Sequence, residues 1–337
     1  MKLAFVLIAC GLLAPLLPAE RVEFVWPTPN PAWEKGRPIE EFIQPTASGD
    51  PLSGTFGGVR SGGRQFHEGL DLRPVSRDQR GEPADPVFAA MKGIVRYVNL
   101  RPGESNYGRY IVIEHPGLQP AVYTLYAHLA QVQPGLGPGS PVTAGQVIGR
   151  MGRSSNGQAI PQERGHLHFE IGLRVRDRFD LWYRAHRSGS ANVHGDFNGM
   201  NLMGIDPLAF LHLWRLGQVD DFQQYFAREK PAVRLRVATS RVPDFITRYP
   251  SLLRRPLPSG LVAGWEIECN WTGLPFAWTP LTPEQVGGLA PGAALVTWAD
   301  QAMLQEHPCR HLVVARHGGY EPVADLKEVL EQVFDLR

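Results

Sequence analysis

The chain reads as an antiparallel all-β domain followed by a smaller mixed α+β domain, and three features of its sequence say so. Short apolar or alternating runs recur between residues 51 and 214, separated by Gly and Pro, as short strands joined by tight turns would require. Gly (36) and Pro (30) together make up near a fifth of the 337 residues, which works against long helices. Beyond residue 215 the texture changes to helical spacing interleaved with an alternating run.

In order along the chain, residues 1–19 form a targeting segment. Lys2 precedes an apolar run over residues 3–17, and Leu17-Pro18-Ala19 closes it, as in a signal peptide. The run is too short and too broken by Pro and Gly to span a membrane. A second reading competes with cleavage: Leu7-Ile8-Ala9-Cys10 is a lipoprotein-type signal with Cys10 as the lipidated residue, and membrane attachment follows in that case alone. Both readings export the protein to the periplasm, the cell envelope or beyond. Residues 20–50 carry Pro27, Pro29, Pro31, Pro38 and Pro45 and are expected to be an irregular arm.

Residues 51–214 supply the strands, with runs at 86–91, 93–98, 109–114, 121–127, 146–151 and 166–171. The tail, residues 215–337, is expected to hold a helix over 220–228, a strand over 233–237 and a final helix on which Leu326, Val329, Leu330 and Val333 share a face. Cys269 and Cys309 lie in this tail, and in an exported protein the even pair is expected to be a disulfide, with two buried thiols as the alternative. His307-Pro308-Cys309-Arg310-His311 admits a second metal site as the alternative, with the disulfide and two surface histidines as the preferred reading. Net charge is +1, which gives no footprint for nucleic acid, so no nucleic-acid partner is expected.

Seven of the eleven histidines fall between His67 and His194, and three groups within that span carry chemistry together. In Phe66-His67-Glu68-Gly69-Leu70-Asp71, a straight strand would hold His67 and Asp71 about 13 Å apart. Gly62, Gly63 and Gly69 permit a bend that brings imidazole and carboxylate to one ion, and that donor pair suits zinc. In Gly165-His166-Leu167-His168-Phe169-Glu170, strand alternation puts His166 and His168 on one face with Leu167 and Phe169 in the core behind it; Glu170 shares their parity and is read as a rim or supporting residue. In Tyr123-Thr124-Leu125-Tyr126-Ala127-His128-Leu129, alternation places Thr124, Tyr126 and His128 on one face and Leu125, Ala127 and Leu129 on the apolar one. Catalytic zinc takes three protein ligands and keeps a position open. Two histidines and a carboxylate meet that need and leave two histidines for proton transfer. The helical His-Glu-x-x-His signature is absent, since Asp71 stands where its second histidine would be.

These groups resemble the lysostaphin-type, or LytM-type, peptidoglycan endopeptidases over roughly residues 52–210. The resemblance extends to Asn106-Tyr107-Gly108, Ala144-Gly145-Gln146-Val147-Ile148-Gly149 and Asp206-Pro207. It implies antiparallel sheets with a groove, of the duplicated-hybrid-motif type, one Zn2+ held by His67, Asp71 and His168, and His166 and His128 as the catalytic histidines. The substrate it implies is a peptidoglycan peptide, cut at an amide bond of a stem or cross-bridge. All five matching positions are occupied, which weighs against a non-catalytic wall-binding or hydrolase-activating module; a zinc amidase at the sugar–peptide junction is the other alternative. Residues 173–204, with Trp182, Tyr183, His186 and His194, exceed the short link usual in that family and are expected to form a groove wall.

Overall fold

The apolar runs fold as strands and the Gly- and Pro-rich stretches as the turns between them. The computed structural model describes residues 21–187 and 189–335; the expected leader, residues 1–19 with Cys10, lies outside them. The first part of the chain forms β1 (Gly57–Arg60), β2 (Gln65–His67), β3 (Leu70–Leu72), β4 (Pro86–Phe88), β5 (Gly93–Asn99), β6 (Tyr110–Glu114), β7 (Tyr123–Ala127), β8 (Gln131–Val132), β9 (Pro141–Val142), β10 (Val147–Arg150), β11 (Leu167–Arg174) and β12 (Leu202–Ile205). The main antiparallel sheet runs β12-β11-β7-β6-β5-β9, with β3 also hydrogen-bonded to β11; β4-β10-β8 form a second sheet and β1-β2 a hairpin.

β11 organises the sheet. Its Leu167–Phe169 stretch pairs with β3, its later residues pair with β12, and β7 flanks its other edge. Leu167, Phe169 and Ile171 enter the main core with Tyr126, while His168 and Glu170 take the opposite face beside Ala127 and Leu125, as a two-residue period dictates. On β7 this reverses the expected sides. Tyr126 is the core-facing residue, its hydroxyl accepting from the Ala90 N–H at 2.7 Å, and Leu125 and Ala127 lie on the face of His168. Every residue of β7 is buried, so a polar side chain on it does not mark a solvent face.

The arm is irregular, with one short 3-10 turn at Ile39–Glu41, yet it is part of the core. Trp26 stacks on Trp33 at 4.9 Å and meets Phe42 edge-on. The Gln44 N–H donates to the Asp71 carbonyl at 2.8 Å and the Arg73 N–H to the Phe42 carbonyl at 2.9 Å, so the arm pins the strand that carries Asp71.

The remainder comprises α1 (Phe179–His186), α2 (Pro207–Arg215), α3 (Phe222–Arg228), β13 (Val233–Ala238), α4 (Asp244–Arg248), β14 (Gly264–Cys269), β15 (Pro275–Leu281), α5 (Pro283–Val286), β16 (Ala294–Ala299), α6 (Gln301–Glu306), β17 (Val313–Arg316), β18 (Gly319–Pro322) and α7 (Ala324–Phe334). Asp206 caps α2, accepting from the Leu208 and Ala209 N–H groups, and Pro207 occupies the first helical position where its missing N–H costs nothing. A six-stranded antiparallel sheet, β15-β14-β13-β16-β18-β17, forms the second unit. α7 buries Leu326, Leu330 and Val333 against it, as their spacing requires.

The disulfide expectation fails, because both cysteines are free. Cys269 ends β14 inside the sheet, opposite Val233 and Pro275. Cys309, in the loop after α6, packs on the first unit instead: its Sγ would be 2.7 Å from a Cβ at Gly58 on β1. An even cysteine count says nothing about where the chain sends each thiol, and here a domain contact claims one of them. His307 stacks flat on Trp271 at 3.8 Å and is engaged there.

Candidate metal centre

Gly69 brings the first ligands together by close approach. β2 ends at His67 and β3 starts at Leu70; a Cβ on Gly69 would lie 2.2 Å from the Phe169 carbonyl oxygen. The bare backbone therefore lets β3 slide against β11, and the register sets Asp71 opposite His168. The positive φ values expected of a bend sit earlier, at Gly62 and Gly63 in the β1-β2 turn.

His67 Nε2, Asp71 Oδ1 and His168 Nδ1 lie 3.0 Å from one another. All three residues are buried. Each ligand is oriented from behind. His67 Nδ1 donates to the Thr55 carbonyl at 2.7 Å, so its Nε2 carries the lone pair. His168 Nε2 donates to Glu170 Oε1 at 3.0 Å, so its Nδ1 is the free one. Arg60 Nη2 holds Asp71 Oδ2 at 2.6 Å, which turns Oδ1 inward. Glu170 is itself fixed by the hydroxyls of Tyr107 (2.6 Å) and Tyr123 (2.9 Å); burial and the Glu170 charge raise both phenols well above their ordinary range, so both remain donors.

Three lone pairs thus converge with no donor among them, an arrangement that needs a cation. With only a proton to serve, burial opposes charge on His168, but Asp71 and Glu170 outweigh it and push its pKa up to about 10. Burial likewise opposes ionisation of Asp71, and the imidazoles of His166 and His67 overcome it, holding the carboxyl well below its usual range. Two imidazole nitrogens and one carboxylate oxygen, all deprotonated at the converging atom, are a zinc donor set that leaves a coordination position open. Among the described residues, this is the group of three His, Cys, Asp or Glu side chains that converges in this way.

His166 and His128 stand on the open side. His166 Nδ1 donates to the Arg164 carbonyl at 2.7 Å, and its Nε2 is 3.3 Å from Asp71 Oδ1. His128 Nδ1 donates to the Ser154 carbonyl at 2.9 Å. The two rings meet edge-on at 4.9 Å, and His128 lies 5.9 Å from His168. By strand parity His128 would point with Tyr126 into the core. It reaches the site because its backbone is left-handed, with φ of 60°, and this turns the side chain off the alternation of β7. Its amide donates to the Tyr107 carbonyl at 2.8 Å. Gly108 makes the adjoining approach possible, since a Cβ there would sit 2.2 Å from the Ser154 carbonyl. Burial and the neighbouring imidazoles of His166 and His168 hold His128 well below the ordinary histidine range.

The five residues line a cleft of about 310 Å³ with Arg60, Glu68, Asn106, Tyr107 and Arg164 on its walls. Two side chains that orient the site escaped the sequence reading. Arg60 and Tyr107 give no periodic signal, since they reach the site from a hairpin and a loop. Glu170, expected from its parity to be a rim or supporting residue, is fully buried and supports His168. Of the groove-wall residues expected in the insertion, His194 lines a neighbouring chamber. Trp182 and His186 instead stack on one another at 4.7 Å.

An antiparallel β unit thus folds two histidines and an aspartate into one buried, open-sided candidate metal site. Residues 65–179 match the model of peptidase family M23, and this stretch of the chain belongs to that family. No curated protein sequence matches the chain. Among solved structures, it is similar to a zinc-containing peptidase from Vibrio cholerae, at 29% identity over 32% of this chain and 26% of that one (TM-score 0.24). It is also similar to the catalytic domain of the antimicrobial peptidase lysostaphin from Staphylococcus simulans, at 22% identity over 45% and 82% (TM-score 0.28). Helicobacter pylori Csd3 matches at 22% identity over 45% and 30% (TM-score 0.28). The chain spans about a quarter of the length of the Vibrio cholerae peptidase.

Proposed function

We propose that the protein is a zinc-dependent endopeptidase that hydrolyses amide bonds in peptidoglycan stem peptides or cross-bridges, and that it acts outside the cytoplasm. The observation that carries this reading is the 3.0 Å triangle of His67 Nε2, Asp71 Oδ1 and His168 Nδ1, opening onto a cleft that also presents two further imidazoles. No helix among the described residues is long and apolar enough to cross a membrane.

Zinc bound by His67, Asp71 and His168 would supply a Lewis acid and a water acidified toward a pKa of about 7. The chain's own residues do the rest. Arg60 and Glu170 keep Asp71 and His168 in their ligating orientation. His128 and His166, each with Nδ1–H committed to a backbone carbonyl, present Nε2 to the cleft. Between them these two atoms take a proton from the attacking water, return one to the leaving amine and steady the carbonyl oxygen by hydrogen bonding. Their backbone anchors fix the tautomer, so the rings need no reorientation during the reaction.

Digestion of isolated peptidoglycan by the zinc-loaded protein, with and without a chelator, tests the reading. The expected products are new amino and carboxyl termini within the peptides, formed only without chelator. Glycan strands stripped of whole stem peptides would instead identify an amidase, and undigested wall would remove the hydrolase reading.

A further inference from the structure

The metal cleft opens into a second chamber of about 640 Å³ that shares Arg60, Glu68, Asn106 and Tyr107 with it. One wall of this chamber comes from the insertion before α2, through His194, Asn198 and Met200. The other comes from the second unit, through Thr272, Arg310 and the face of α7. Trp271 fixes the two units at this point, packing on Phe56 and Phe66 at 6.0 and 5.9 Å.

Arg310 stands out within the chamber. Its guanidinium lies over the ring of Phe66, 3.9 Å from the centroid, and Phe66 immediately precedes the metal ligand His67. Its Nε is buried with no hydrogen-bond partner among the described residues. Of the four carboxylates lining the chamber, three have partners of their own, and Glu68 has none among the described residues. Asp325 accepts from the His311 N–H at 2.6 Å, Glu328 pairs with Arg187 at 2.8 Å, and Glu104 pairs with Arg101 at 3.2 Å. The aromatic face underneath holds the guanidinium fork in place, and no ion pair or hydrogen bond among the described residues occupies it. A planar, pre-positioned guanidinium in a groove matches a carboxylate, which it can grip through two parallel N–H bonds.

We propose that Arg310, supplied by the second unit, receives a free carboxylate of the substrate peptide and so determines which peptides reach the metal cleft. The inference rests on the peptidase reading above and adds a specificity residue that lies outside the matched family segment. The carboxylate is either the α-carboxylate at a peptide terminus or a side-chain carboxylate, the two being alike to a guanidinium.

The test uses the full, zinc-loaded chain and four forms of one stem peptide: unmodified, amidated at the terminal carboxylate, amidated at the side-chain carboxylate, and amidated at both. Binding is followed by calorimetry and turnover by kcat and KM. In the wild type, amidation at one of the two positions is expected to weaken binding about tenfold or more, as loss of a charge-assisted pair should, through KM rather than kcat; the sensitive position identifies the source. In Arg310→Gln the ratio between free and amidated peptide is expected to fall to about 1. Arg310→Lys, which keeps the charge without the fork, is expected to fall between. A ratio that persists in Arg310→Gln, or a wild type indifferent to both amidations, overturns the proposal. Melting curves establish that the variants fold. Should Arg310→Gln fail to fold, an unchanged ratio in Arg310→Lys is the overturning result. Discrimination in binding without any hydrolysis would refute the peptidase reading and leave the Arg310 assignment standing.

Discussion

Each ligand atom in this site owes its direction to a group behind it, and single substitutions should separate the roles. His67→Ala, Asp71→Ala and His168→Ala are each expected to lose zinc, because two remaining donors cannot hold it tightly. His128→Ala and His166→Ala are expected to keep zinc and to lose about 10²–10⁴-fold in kcat, the usual worth of positioned acid–base groups. Metal analysis after dialysis, beside turnover, checks both; zinc loss in His166→Ala with retention in His168→Ala would exchange their assignments. Glu170→Gln leaves an acceptor for His168 Nε2 but removes the charge, and is expected to cost about 10–100-fold in zinc affinity, read by competition with a chelator. That His67, Asp71 and His168 converge was legible in part: the strand period put His166 and His168 on one face and a glycine let His67 meet Asp71, but the choice of His168 over His166 came from the family resemblance alone. Arg60 and Tyr107 were not legible, since their approach depends on how a hairpin and a loop fold back over β11.

Individual elements set the tolerances of the site. β3 approaches β11 at Gly69, where a methyl group would lie 2.2 Å from the Phe169 carbonyl. Gly69→Ala must therefore push apart the strands that carry Asp71 and His168. We expect a loss of about 1–3 kcal/mol in stability, measured by denaturant unfolding, with weakened zinc binding. The strands were readable from sequence, but which face of β7 turns inward was not, because alternation gives parity and both faces of β7 are covered. The bend at His128 was equally hidden, since no glycine marks its left-handed backbone. His115, just past β6, is a further buried group with a measurable signature. Its Nδ1 donates to the Lys92 carbonyl and its Nε2 accepts from the Thr124 hydroxyl, and burial lowers its pKa to about 4. The unfolded chain binds this proton near pH 6.5 and the folded one does not until near pH 4, so the unfolded state holds more protons in that window. Stability contributed by neutral His115 is full above about pH 6.5 and is lost as pH falls toward 4, by about 3 kcal/mol. Thermal melts across this range should show the slope in the wild type and a shallower one in His115→Gln.

Composition divides the chain near residue 215, between α2 and α3, whereas the packing ties the two sides together. Phe210 on α2 stacks on Phe222 of α3 at 4.1 Å and meets Tyr225 edge-on. Trp271 covers Phe56 and Phe66 on the other side of the first unit. β11, whose first residues carry the metal site, is held at its far end by the second unit. The Arg174 N–H donates to the Tyr249 hydroxyl at 3.0 Å, Arg248 donates to the Arg174 carbonyl at 2.9 Å, and Arg176 donates to the Gln332 carbonyl at 2.9 Å. Cutting the chain after residue 214 would uncover the buried Phe56 and Phe210, at about 1.5–3 kcal/mol each when fully exposed, and more of the half-buried Phe66. It would also break the three hydrogen bonds at and just beyond the end of β11, each worth about 1 kcal/mol. The combined loss approaches the whole net stability of a typical domain, about 5–15 kcal/mol. We therefore expect residues 21–214 alone to show no cooperative unfolding transition and no tight zinc, while residues 21–337 unfold in one calorimetric transition that zinc raises. A well-folded, zinc-binding fragment would mean that the second unit is an independent appendage rather than the support of β11.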